Sequence, residues 1–216
     1  WTVEALAWPV AAGVLADVGF FLLLRALSKG SLSVIAPIIA LEGGVATIFS
    51  IALGERPSML MYALIVVAVI GAVLVALEPG RRTAAGAPEA ILAAVAYAGV
   101  LIALGQSELP DLTTVGITRA TSVLVILPAF LLVRQLPKRA NFYPIIWCGL
   151  LDAVGFVCFA FAASIGPLSV ASVTATQWGT AAALIGIIGM RERLFVNQYI
   201  GIAVTLIAVT GLGLAS

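Results

Sequence analysis

Apolar residues run along this chain in long unbroken stretches, and polar residues gather in the gaps between them. The pattern predicts eight helices. They cover about 5–27, ending in SKGS, about 32–53, ending in GERPS, and about 59–78, ending in EPGRR. Then come about 89–106 before SELPDL, 113–134 before QLPKR, 142–165, 168–190 and 196–215. Such runs approach or exceed the roughly 20 residues that cross about 30 Å of hydrocarbon. They are continuous rather than alternating, which predicts helices and not barrel strands. The short gaps predict antiparallel neighbours in a bundle. Pro79 to Pro88, rich in Gly, Ala, Pro and Arg, is the best linker candidate.

The polar punctuation repeats. Shifted by 136 positions, Gly13–Ala46 overlays Gly149–Ala182 with thirteen identities in thirty-four positions. They include Gly13/Gly149, Gly19/Gly155, Ser28/Ser164 and a shared G-x-L-S-V at Gly30–Val34 and Gly166–Val170. With a one-residue insertion, Glu55-Arg56 then meets Glu192-Arg193. Helices one to three correspond to helices six to eight, and helices four and five have no earlier counterpart. The simplest account is a parent of five plus five helices whose first two are missing here. That gives residues 1–79 as the last three helices of a first unit and 87–216 as a complete second unit. An odd number of helices per unit inserts tandem copies in opposite senses, an arrangement common in secondary transporters, with the substrate site between the repeats near the midplane.

Composition agrees with a membrane class. Of 216 residues, 62% are hydrophobic and 10% charged, and mean hydropathy is +1.20. A soluble domain carries roughly a quarter charged residues. The fold class expected is an all-α, multi-pass membrane protein with the lipid bilayer as its solvent. The net charge of +1 leaves no polybasic footprint for nucleic acid. Histidine is absent, which excludes His-based acid/base catalysis and His metal sites. Cys148 and Cys158 lie ten residues apart on one predicted helix, about 15 Å of rise, too far for a disulfide with each other. No cofactor or metal is implied.

The chain resembles the drug/metabolite transporter superfamily, in particular EamA-type transporters. The residues that carry the resemblance are A-L-S-K-G-S-L-S-V at 26–34, Pro37 in the next helix, and L-G-E-R-P-S at 53–58. The second copy adds I-G-P-L-S-V-A-S-V at 165–173 and G-M-R-E-R-L at 189–194. The resemblance covers nearly the whole chain, as helices three to ten of a ten-helix fold. It implies export of amino acids, drugs or other metabolites, driven by an ion or substrate gradient. The second copy departs from the first at Val173, where the first has Pro37.

Charged residues inside apolar helices are expensive and point to a solute or ion path. Glu42 is the sharpest candidate. It lies mid-helix beside Gly43 and Gly44, five residues after Pro37, and withdrawal from water favours a carboxylate's protonated form, which suits proton coupling. The alternative is a structural partner for an Arg or an amide. Trp178 and Gln177 occupy the corresponding part of the second copy. Asp17 and Asp152 sit in equivalent helices one position out of register, as a cation or amine site or as interhelical hydrogen-bonding groups. Arg119, near Ser122 on one face, is placed to pair with a carboxylate or with a carboxylate-bearing substrate. Ser169, Ser172, Thr176 and Thr180 form a hydroxyl stripe on one helix face, either lining an aqueous path or packing helices together. Trp8, Tyr97 and Trp178 are suited to shaping an aromatic-tolerant cavity. Arg25 reads as a snorkelling anchor, and Tyr143 and Trp147 as interface anchors.

Lys29, Arg81, Arg82, Arg134, Lys138, Arg139, Arg191 and Arg193 fall in alternate gaps, while Arg56, Glu108 and Asp111 fall in the others. The positive-inside rule makes the first set cytoplasmic, with both chain ends outside. The family resemblance implies the reverse. The leading expectation is a secondary transporter for a small-molecule substrate in a bacterial inner membrane, working by alternating access. A lipid-modifying enzyme would need a reactive cluster, and the acids are dispersed. A receptor or scaffold would need no solute-sized cavity, and a transporter fragment would be inactive alone. Acid, amide, hydroxyl and indole candidates suit amino acids, nucleosides or sugars alike.

Overall fold

The structure, a computed structural model, describes residues 3–30, 35, 38–76, 86–133, 142–177 and 195–215. Among these residues there are eight helices and no strand. They are α1 (Val3–Lys29), α2 (Glu42–Ala52), α3 (Met59–Ala76), α4 (Ala87–Gly105), α5 (Asp111–Val133), α6 (Phe142–Ile165), α7 (Leu168–Ala175) and α8 (Val196–Ala215). By length and composition, α1, α4 and α6 are long and apolar enough to cross a membrane, and α2, α3 and α8 contain shorter apolar helical stretches. The protein is a multi-pass helical membrane protein.

Its burial pattern follows from lipid as solvent. Large apolar side chains point outward, among them Leu150, Leu151, Val154 and Phe161 on α6. The positions between helices are taken by alanine, including Ala12, Ala26, Ala46, Ala68, Ala90 and Ala93. Lipid tails are as apolar as leucine, so helices associate where small residues allow close packing and polar groups can bond. Gly13 lets α1 approach α5, where an added Cβ would lie 2.6 Å from the Thr118 carbonyl oxygen. There Thr118 Oγ1 also donates to the Pro9 carbonyl at 3.1 Å. Gly71 does the same for α3 against Thr205 of α8. α1 packs on α4 and α5, α3 on α8, and α2 on α7 and α4. The pair α3–α8 joins helices that the 136-residue shift relates.

Polar contacts mark the two ends of the bundle. At one end Lys29 of α1 pairs with Glu89 of α4. At the other, Glu55, just past α2, accepts from the backbone amides of Leu168 and Ser169 at the start of α7, at 2.6 and 3.1 Å. This alternation is what antiparallel neighbours require. Pro88, taken from sequence as the end of a linker, lies inside the first turn of α4, where a missing N–H removes no helical bond. The rest of that linker through residue 85 lies outside the described residues.

Two expected helices differ. The stretch 32–53 is not one continuous helix: residues 40–41 form a turn, and α2 starts at Glu42. In the expected helix 168–190, α7 ends at Ala175 and a turn follows at 176–177, and residues 178–194 lie outside the described residues. Gly43 and Gly44, just past the turn, carry weak helix propensity. Apolar composition does not report such a break, because the residues on both sides remain apolar. The two turns are 136 positions apart, the same offset as the sequence repeat.

Candidate functional site

Both turns border a cavity of about 620 Å³. α1 contributes Leu23 and Leu27, and the segment before α2 contributes Ile35 and Ile39. Glu42 opens α2, Tyr97 and Val100 come from α4, and Asp152, Phe156 and Phe159 from α6. Ala175 and Thr176 close the wall where α7 ends. The cavity therefore lies between α1, α2 and the segment before α2 on one side and α4, α6 and the end of α7 on the other. It reaches from the middle of the helices toward the end marked by Lys29 and Glu89.

Most of this wall is aliphatic or aromatic, and the described lining carries two carboxylates and no cation. Glu42 sits in the first turn of α2, where the partial positive charge of a helix N-terminus favours an acid. Asp152 is half-exposed to the cavity side and forms an ion pair with Arg119 of α5, Nη2 to Oδ2 at 2.5 Å. The Arg119 guanidinium also lies over the Phe156 ring, 4.2 Å from its centroid. Arg119 thus stands behind the wall, tied to two residues that line it.

The other sequence candidates divide. Asp17 does not join Glu42 and Asp152. It faces α5, where Ser122 Oγ donates to Oδ1 at 2.5 Å, and its Oδ2 is buried without a hydrogen-bond partner. The offset of one register position explains the separation, since one residue is about 100° around a helix. Thr176 reaches the cavity, with its hydroxyl bonded to the Val173 carbonyl at 3.0 Å. Gln177 is half-buried beside it and donates to the same carbonyl at 3.0 Å. Ser172 and Ser169 are fully buried between α7 and α2 rather than on the cavity wall. Thr180, Pro37 and Trp178 lie outside the described residues.

Arg25 and Trp8 are exposed, with Arg25 Nε 4.0 Å from Glu89. Tyr143 and Trp147 meet edge-on at the exposed start of α6. Glu55 was missed as a contact across the bundle. Its place in the repeated Glu-Arg pair was visible in sequence, but its partners are backbone amides, which no side-chain pattern reveals.

The profile of the EamA-like transporter family matches residues 85–214. A solved structure titled only "Crystal structure of protein" is 15% identical, with a TM-score of 0.77, covering 100% of this chain and 90% of that one. That likeness is one of fold. None of the curated proteins matches.

Proposed function

This chain belongs to the EamA-like transporter family, and from that premise we propose that it is a secondary active transporter with its solute site in the cavity of about 620 Å³. The single observation that carries the reading is the position of that cavity. It lies between elements of residues 1–79 and elements of residues 87–216, beside the turns at 40–41 and 176–177. Discontinuous helices at a repeat interface are where such transporters hold solute and coupling ion, and a bilayer gives broken backbone no other tolerable place. The volume lies within the roughly 300–1,000 Å³ of small-molecule sites. A receptor or scaffold needs no such space.

The lining narrows the chemistry. Aliphatic and aromatic walls with Glu42 and Asp152 suit an amine-bearing solute with an apolar body, and they disfavour sugars, which need many hydrogen-bond partners. Alternating access then consists of the two units rocking around this site, in a bacterial inner membrane and in the export direction. Glu42 is the coupling group: it takes a proton from one side and releases it to the other as the solute moves.

The test is flux in proteoliposomes with an imposed pH gradient, using a panel of apolar amines, amino acids, nucleosides and sugars. Wild-type protein is expected to move apolar amines in proportion to the gradient. Glu42→Gln is expected to retain binding or exchange and lose gradient-driven accumulation. Full proton-driven flux in that variant removes Glu42 from coupling, and no flux for any solute sinks the transporter reading.

A further inference from the structure

The α2–α7 interface is uneven along its length. From Glu42 toward Ile39 and Ile35 the two units part around the cavity. In the other direction they are in tight contact. An added Cβ at Gly43 would lie 2.5 Å from Thr176 Oγ1 and 2.9 Å from the Ser172 carbonyl oxygen. One turn on, Thr47 Oγ1 donates to the Gly43 carbonyl at 2.8 Å and reaches the Ser169 carbonyl at 3.3 Å. At the far end, the Glu55 carboxylate takes both the Leu168 and Ser169 amides. These amides belong to the first turn of α7, which has no intrahelical partners for them and carries partial positive charge.

A second observation sets this seam apart from ordinary packing. The hydroxyls of Ser169 and Ser172 are buried in it without hydrogen-bond partners. Unpaired hydroxyls in a dry interface are unfavourable, and hydration on opening relieves them. The seam is therefore weak in its polar interior and held at its edge by one charged, two-bond contact between the units.

We propose that Glu55 is the latch of a gate formed by the α2–α7 seam, and that Ser169 and Ser172 become lining of the solute path when it releases. The cavity and the seam occupy opposite halves of one interface, so closure at the Glu55 end accompanies access from the Lys29–Glu89 end. Releasing the two amides lets α7 move off α2 and exposes Gly43, Thr47, Ser169 and Ser172 to water. The inference rests on the transporter reading for its purpose, but not for its measurement.

The test is labelling by a membrane-impermeant methanethiosulfonate in sealed vesicles of both orientations. Cys148 and Cys158 are first replaced by serine, and a single cysteine is placed either in the seam (Ser172→Cys) or on the cavity wall toward the other end (Ile39→Cys). With Glu55 present, the seam cysteine is expected to react slowly from the Glu55 face. Glu55→Ala is expected to raise that rate by about tenfold, the population change that follows loss of a charge-assisted contact made in one state only. The same change is expected to slow Ile39→Cys labelling from the opposite face. An unchanged seam rate overturns the proposal. So does equal acceleration at both positions, which means a loosened fold and no gate. Glu55→Gln, which keeps the side-chain size and one carbonyl acceptor, carries the same comparison if the alanine variant does not fold. Absence of flux for every solute, beside a reciprocal labelling shift, removes the transporter reading and leaves the latch standing.

Discussion

Gly43 and Gly44 are neighbours in sequence with opposite structural demands, and replacing each by alanine isolates what the α2–α7 crossing requires. At Gly44 the nearest atom to an added Cβ is Val69 Cγ2 at 3.7 Å, an ordinary contact. At Gly43 the added atom meets Thr176 Oγ1 at 2.5 Å, Thr176 Cγ2 at 2.8 Å and the Ser172 carbonyl oxygen at 2.9 Å. The threonine can rotate, but the carbonyl belongs to the backbone of α7 and moves only with the helix. Both changes gain helix propensity, up to about 1 kcal/mol. Overpacking a tight contact costs about 1–3 kcal/mol. Gly44→Ala is therefore expected to be neutral or stabilising by up to about 1 kcal/mol, and Gly43→Ala to be destabilising by up to about 2 kcal/mol net. Thr176→Ala in the Gly43→Ala background is expected to recover part of the loss, with a coupling of about 1 kcal/mol, since it removes the two shortest contacts and leaves the carbonyl. The assay is reversible unfolding in mixed micelles, followed by far-UV circular dichroism, for wild type, both single variants and the double variant. Equal stability of Gly43→Ala and Gly44→Ala, or the absence of coupling to Thr176, refutes the close crossing on which both the seam and the cavity floor depend.

Two further predictions test other parts of the molecule. Asp152→Asn leaves the Arg119 charge without its partner at the edge of the cavity. Amine binding measured by isothermal titration is expected to weaken by about three- to tenfold, a modest figure because Asp152 is half-exposed, with recovery in Asp152→Glu. Gly86 holds a φ of +85° before α4, and a Cβ there would lie 2.5 Å from the Ala26 carbonyl oxygen. Gly86→Ala is expected to destabilise by at least about 1–2 kcal/mol from backbone conformation alone, read in the same micelle unfolding assay.

The sequence by itself determined the class of this protein. Long apolar runs with 10% charge leave a membrane as the only suitable solvent, and the hydrocarbon thickness then sets where helices begin and end to within a few residues. The 136-residue offset, with its shared glycines and G-x-L-S-V, was also legible before any coordinates. Glu42 and Asp152 stood out because a carboxylate in an apolar helix is conspicuous whatever surrounds it.

What only the tertiary structure decided is how those residues are shared between surfaces. Glu42 and Asp152 face one cavity while Asp17 turns to Ser122, because a single register step rotates a side chain to another neighbour. Ser169 and Ser172 lie in a seam and Thr176 stands where that seam meets the cavity, although all three share one stripe, because the close contact with α7 begins at Gly43 and the cavity opens beyond it toward Ile39. The turns at 40–41 and 176–177 escaped a reading based on hydropathy, since two residues within a long apolar stretch hardly change its mean hydropathy. Glu55 escaped a reading based on motifs, since its partners are two backbone amides more than a hundred residues away. Hydropathy reports which solvent a segment prefers. Which neighbour a side chain meets depends on the rotation and crossing of helices, and those are set by close contacts such as Gly43 against Thr176.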